Sequence, residues 1–78
     1  MEERVLNVLA SICEDDIVKQ ERDIDLFETG LLDSMGFIEM MVDIEEEFNI
    51  RIAPSELDRE EINTPQKIIN MVLTRMNT

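Results

Sequence analysis

Apolar residues recur at helical spacing in three stretches of this chain. Val5, Leu6, Val8, Leu9, Ile12 and Cys13 return every three or four positions and predict a first helix from Glu3 to Cys13. A second is expected from Ser34 to about Phe48, with Asp33 as its N-cap, because a carboxylate there can accept from N–H groups that lack a partner in the first turn. At about 100° per residue, Phe37, Met40, Met41, Ile44 and Phe48 share one arc, the expected core face. Met35, Ile38 and Val42 form a second stripe beginning beside Ser34, and Glu39, Asp43, Glu46 and Glu47 occupy the rest. Thr64 followed by Pro65 marks the start of the last helix, since Thr caps well and Pro at the first helical position loses no hydrogen bond. Ile68, Ile69, Val72, Leu73 and Met76 continue it.

Between these helices the periodicity fades. Residues 14–33 read as one long loop, and a loop of that length in a small domain is functional or pinned by its own side chains. Ile24, Leu26 and Phe27 are the expected anchors, with Gly30 supplying a turn. From Asn49 to Asn63, Pro54 and the capping patterns Ser55 to Asp58 and Asp58 to Glu61 leave room for a turn or two of helix. The expected architecture is all-α: a single domain over residues 1–78, built as a small bundle of three main helices with one short helix before the last.

Length and charge sharpen the picture. A chain of 78 residues buries only about 60% of the surface its unfolded form exposes, so the core is small. The formal charge is -12, from 19 Asp and Glu against 7 Lys and Arg, beyond the roughly 2 to 8 units that solubility asks of a small domain. Nucleic acid is excluded as a ligand, because binding it requires positive charge. Partners with basic patches are expected instead, drawn in by a long-range field that salt weakens. The one cysteine, Cys13, cannot form an internal disulfide, and the N-terminal stretch lacks an uninterrupted apolar run, so a reducing, cytoplasmic setting is expected; a monomer is the expected state.

Autonomous catalysis fits poorly. There is no His to serve as a base near neutral pH, and Cys13 lies on the apolar face of the first helix, where it reads as a small buried hydrophobe. Asp23, Asp25 and Glu28 suggest a calcium loop, but an EF-hand starting at Asp23 needs Gly where Glu28 stands, and the glycine comes two residues later. No metal site is expected.

The stretch Gly30-Leu31-Leu32-Asp33-Ser34-Met35-Gly36 is more promising. It sets Ser34 at a helix N-terminus, where the first-turn N–H groups and the positive end of the dipole favour a phosphate ester. Gly36, having no side chain, is expected to leave space for a bulky arm or an enzyme surface. On the motif alone, an ordinary Asp-capped helix with a serine in its first turn stays open.

Leu32-Asp33-Ser34-Met35 resembles the Asp-Ser-Leu signature of acyl and peptidyl carrier proteins, with Met35 in place of Leu. Phe27 and Gly30 ahead of the serine, Glu45-Glu46-Glu47-Phe48 closing the second helix, and Ile52 with Pro54 after it match the same family, over nearly the whole chain. Gly30 to Gly36, Leu57-Asp58-Arg59-Glu60-Glu61 and Thr64-Pro65-Gln66-Lys67-Ile68 are similar to D-alanyl carrier proteins, which serve teichoic acid D-alanylation in Gram-positive bacteria. The resemblance implies an acyl-carrier-like bundle without enzymatic activity, and covalent 4'-phosphopantetheine on Ser34, with Asp33 and Gly36 beside it. It also implies three partners: a phosphopantetheinyl transferase, an adenylating D-alanine ligase that loads a thioester, and a membrane acyltransferase system at the cytoplasmic face.

Met35, Ile38 and Val42, framed by Glu39, Asp43, Glu46 and Glu47, suit a transient partner with a basic rim. A central helix burying both of its stripes against two neighbours is the alternative. Two other functions also fit: a carrier for fatty acid, polyketide or peptide assembly, and an unmodified acidic adaptor that binds a basic partner.

Overall fold

A computed structural model of the chain describes residues 2–52 and 57–76. Helix α1 spans Glu2–Cys13, α2 Ile17–Gln20, α3 Ser34–Phe48 and α4 Pro65–Met76, with a 3-10 turn at Arg59–Glu61 before α4. α1 is the hub, packing against α2, α3 and α4. The three long helices lie where the apolar periodicity sets them. Val5, Leu6 and Leu9 of α1, Met40, Met41, Ile44 and Phe48 of α3, and Ile68, Ile69 and Val72 of α4 bury their side chains in one cluster. Arg4 fastens α1 to the end of α3: its guanidinium donates to Glu47 Oε1 at 2.9 Å and to the Glu47 carbonyl at 2.8 Å, and lies 4.8 Å from the Phe48 ring centroid.

The caps follow the sequence. Asp33 Oδ1 accepts from Gly36 N at 2.6 Å, and Thr64 Oγ1 from Lys67 N at 3.2 Å. α3 ends at Asn49, whose φ of 53° and ψ of 47° are left-handed, a conformation Asn tolerates better than most residues. The expected cap at Ser55, with Pro54, lies outside the described residues. The one at Asp58 leads into the 3-10 turn, where Glu61 N donates to the Asp58 carbonyl at 3.0 Å.

α2 is a departure from the expected long loop. One turn of helix presents a single buried apolar residue, Val18, which is too little for a periodic signal. Asp15 Oδ1 accepts from Ile17 N at 3.0 Å and starts it. The rest of the loop is pinned as expected, though its deepest anchors are Leu26 and Leu32, with Ile24, Phe27 and Leu31 half-buried. Leu32 N donates to the Leu26 carbonyl at 2.9 Å and closes the loop on itself, and Gly30 turns it with a φ of 77°.

Candidate functional site

Ser34 is the first residue of α3 and is exposed. Asp33 holds an extended backbone (φ -99°, ψ -176°) that swings its carboxylate over the first turn, so the cap and the serine are set by the same local geometry. The hydroxyl thus stands at the positive end of a helix of 15 residues. A phosphate ester fits this place, since the oxygen is on the surface and the nearby backbone dipoles favour negative charge.

Gly36 corrects one expectation. A Cβ built on it would lie 3.1 Å from Asp33 Oδ1, 3.2 Å from Leu32 Cδ1 and 3.5 Å from Ile12 Cγ2. The missing side chain therefore lets the first turn of α3 sit tightly on Leu32 and the Asp33 carboxylate, with Ile12 of α1 at ordinary contact distance, rather than leaving an opening. Sequence could not supply this reason, because it depends on where the folded loop lays the Leu32 and Asp33 side chains.

The two stripes of α3 separate cleanly. Met40, Met41, Ile44 and Phe48 are buried and Phe37 is half-buried, whereas Met35 is 75% exposed, Ile38 58% and Val42 47%. The alternative in which both stripes are covered is not what the structure shows. Glu39, Asp43 and Glu46 are exposed beside the apolar stripe, while Glu47 is drawn toward α1 by Arg4. A shallow groove of about 420 Å³ runs between α1 and α3, lined by Asn7, Ser11, Asp43, Glu46 and the Arg4–Glu47 pair.

Cys13 is half-buried rather than fully covered, and the burial, then the nearby Asp15 carboxylate, push its thiol above the ordinary value. It is a poor nucleophile at neutral pH. Asp25, considered above as part of a calcium loop, is engaged with the chain itself: Oδ1 accepts from Phe27 N at 3.0 Å and Glu28 N at 2.9 Å, and Oδ2 from Asn63 Nδ2 at 3.2 Å. The part played by Asn63 was not foreseen, since it depends on a contact between distant segments. No described helix is long and apolar enough to cross a membrane.

A family described as "Phosphopantetheine attachment site" matches residues 3–72. The chain is 47% identical over 76 residues to a D-alanyl carrier protein of Abiotrophia defectiva, covering 97% of this chain and 96% of that one. It is 49% identical over 70 residues to a D-alanyl carrier protein of Bacillus subtilis (strain 168), covering 90% of each. Against a D-alanyl carrier protein of Bacillus velezensis the identity is 50% over 68 residues, covering 87% of each.

Proposed function

The chain belongs to the phosphopantetheine-attachment-site family and, within it, to the D-alanyl carrier proteins, and we propose that the Ser34 hydroxyl is the point at which its arm is attached. It is a carrier, not an enzyme, and serves D-alanylation. When bound, 4'-phosphopantetheine supplies a terminal thiol on which D-alanine rides as a thioester. The observation that carries the assignment is an exposed serine at the capped N-terminus of α3, beside an apolar stripe left open to solvent.

Each residue then has a task. Ser34 Oγ holds the phosphodiester, and the positive end of the α3 dipole stabilises its charge. Asp33 caps the first turn through Gly36 N and so fixes where that oxygen stands. Gly36 serves by packing, as described above. Met35, Ile38 and Val42 form the apolar centre of a docking surface, and Glu39, Asp43 and Glu46 its acidic rim, complementary to basic partners. Three partners follow: a phosphopantetheinyl transferase that attaches the arm, an adenylating ligase that loads D-alanine, and a membrane acyltransferase system that receives it for teichoic acid at the cytoplasmic face.

Intact mass tests the attachment. Incubation with coenzyme A, magnesium and a phosphopantetheinyl transferase should add one phosphopantetheine to the wild-type chain and none to Ser34→Ala. An unmodified wild type, the outcome expected of a simple acidic adaptor, would refute the Ser34 assignment. Offering the modified carrier to a D-alanine ligase and, separately, to a malonyl transferase tests the cargo. Loading by malonate alone would replace D-alanylation with a role in acyl-chain assembly.

A further inference from the structure

Asp25 and Asn63 join two loops far apart in the sequence, near a second tie in which Gln66 N donates to the Arg22 carbonyl at 3.0 Å. Asn63 uses three groups at once: its carbonyl accepts from Leu26 N at 2.7 Å, its Nδ2 donates to Asp25 Oδ2 at 3.2 Å, and its Oδ1 accepts from Lys67 Nζ at 3.1 Å. Lys67 also donates to the Glu60 carbonyl at 2.7 Å, so the clamp is anchored to both the 3-10 turn and the first turn of α4. On the other side, Asp25 Oδ1 holds the amides of Phe27 and Glu28.

From there the connection to Ser34 is short. The Phe27 ring packs edge-on to Phe37 in the second turn of α3, with centroids 6.0 Å apart and planes at 61°. Leu32 N donates to the Leu26 carbonyl, and the Leu32 side chain lies against the position a Cβ on Gly36 would take. The segment held by Asn63 therefore touches the first turns of α3 twice, through Phe27 on Phe37 and through Leu32 on Gly36.

We propose that the Asn63 side chain is a positioning group for the modification of Ser34: by tying Asp25 to Lys67, beside the main-chain bond that holds Leu26, it fixes the wall of loop beside the serine and the seating of the first turn of α3. This rests on the Ser34 assignment above. The clamp touches no reacting atom, and its effect is to hold one arrangement of the site ready for the modifying enzyme.

The pair also offers a rescue by exchange. In Asn63→Asp two carboxylates face each other, and in Asp25→Asn two amides compete for the same geometry, with Lys67 able to pair with only one arrangement of Asn63. The double variant Asp25→Asn/Asn63→Asp restores one donor and one acceptor across the gap and leaves an acceptor for Lys67. Asn at 25 still caps Phe27 and Glu28 through its side-chain oxygen.

The test compares modification rates by a phosphopantetheinyl transferase well below melting for wild type, Asn63→Ala, Asn63→Asp, the exchanged double variant, and Thr64→Ala. Thr64→Ala removes the α4 cap on the Lys67 amide while leaving the side chains of Asp25, Asn63 and Lys67 in place, and so controls for lost stability. Both Asn63 variants should lose at least about fivefold in kcat with a smaller change in KM, since a misplacement of about 1 Å can cost as much as 100-fold. The amides of Ser34 and Gly36 should shift in NMR spectra of the same variants. The exchanged variant should recover most of the rate, and Thr64→Ala should keep it. A wild-type rate for Asn63→Ala, an equal loss in Thr64→Ala, or no recovery on exchange would overturn the inference. A wild-type chain that takes no arm at all sinks the Ser34 assignment instead, and this inference with it.

Discussion

Gly36→Ala is the sharpest test of how the site is built. Elsewhere in a helix this change stabilises by up to about 1 kcal/mol, and near the N-terminus by less. Here the new methyl carbon arrives 3.1 Å from Asp33 Oδ1 and 3.2 Å from Leu32 Cδ1. Asp33 must retreat by a few tenths of an ångström and lengthen the 2.6 Å bond that caps the helix, which costs a fraction of the about 1 kcal/mol that a whole cap is worth. Leu32, almost fully buried, has little room to move, which adds about 1 kcal/mol of overpacking. The balance is a loss of at most about 1 kcal/mol, or up to roughly 4–8 °C in Tm for a domain of this size. Thermal unfolding followed by circular dichroism reads it, in the wild-type background and in Asp33→Ala. Removing the carboxylate removes one of the two clashes and leaves no cap to disturb, so the loss should shrink in that background. A Tm raised by Gly36→Ala, or an effect indifferent to residue 33, would refute the packing account and favour a glycine kept for open space.

Cys13 should react with iodoacetamide more slowly at neutral pH than a thiol in an unstructured peptide, because burial and then Asp15 hold its proton on; alkylation as fast as the peptide's contradicts this. The same shift sets a sign for stability. A thiol whose folded pKa is raised above its unfolded value of about 9.0 costs nothing below that pH, and above it destabilises the fold as the unfolded chain deprotonates. Cys13→Ser should therefore flatten the decline in Tm above pH 9. Dilute peroxide should convert Met35, 75% exposed, to its sulfoxide before buried Met40 and Met41, and peptide mass mapping in which a core methionine leads would contradict the exposure of the stripe. Replacing Glu39 and Asp43 with Lys should slow ligase loading while changing stability by only tenths of a kcal/mol, and unchanged loading kinetics would count against the acidic rim. Raising salt from 0.01 to 0.15 M should raise Tm, because the Debye length falls from about 30 to about 8 Å in a molecule 31 Å along its longest axis; a falling Tm would mean that attractive pairs dominate its surface.

The helices that span several turns were legible because their apolar residues repeat often enough to declare a face, and because Asp33 and Thr64-Pro65 punctuate their starts. α2 was not, since its single turn offers only Val18 to the core. Ser34 could be singled out from its neighbours alone, because capping and dipole are local properties. The reason for Gly36 could not, as it depends on how the folded loop lays the Leu32 and Asp33 side chains against the first turn of α3. Nor could the link between Asp25 and Asn63: each residue reads by itself as loop polarity, and only the fold brings them within 3.2 Å. The two stripes of α3 lay between these cases. Periodicity located both, but which one stays exposed depends on how many neighbours the helix has, and that is a property of the assembled bundle.

The charge of this chain acts on stability and on recognition in opposite directions. Glu45, Glu46 and Glu47 stand near the negative end of the α3 dipole, where like charge is unfavourable. Arg4 relieves only one of them, and does so from the α1 side, away from the apolar stripe. Glu39, Asp43 and Glu46, which it leaves unrelieved along with half-buried Glu45, border Met35, Ile38 and Val42. A helix under selection for stability alone would carry basic residues in its last turn, and α3 has none. The repulsion suits the docking surface proposed above, since an encounter with a basic partner would relieve it and departure would restore it. Such a surface binds quickly and releases readily, as a carrier that must pass among several enzymes requires.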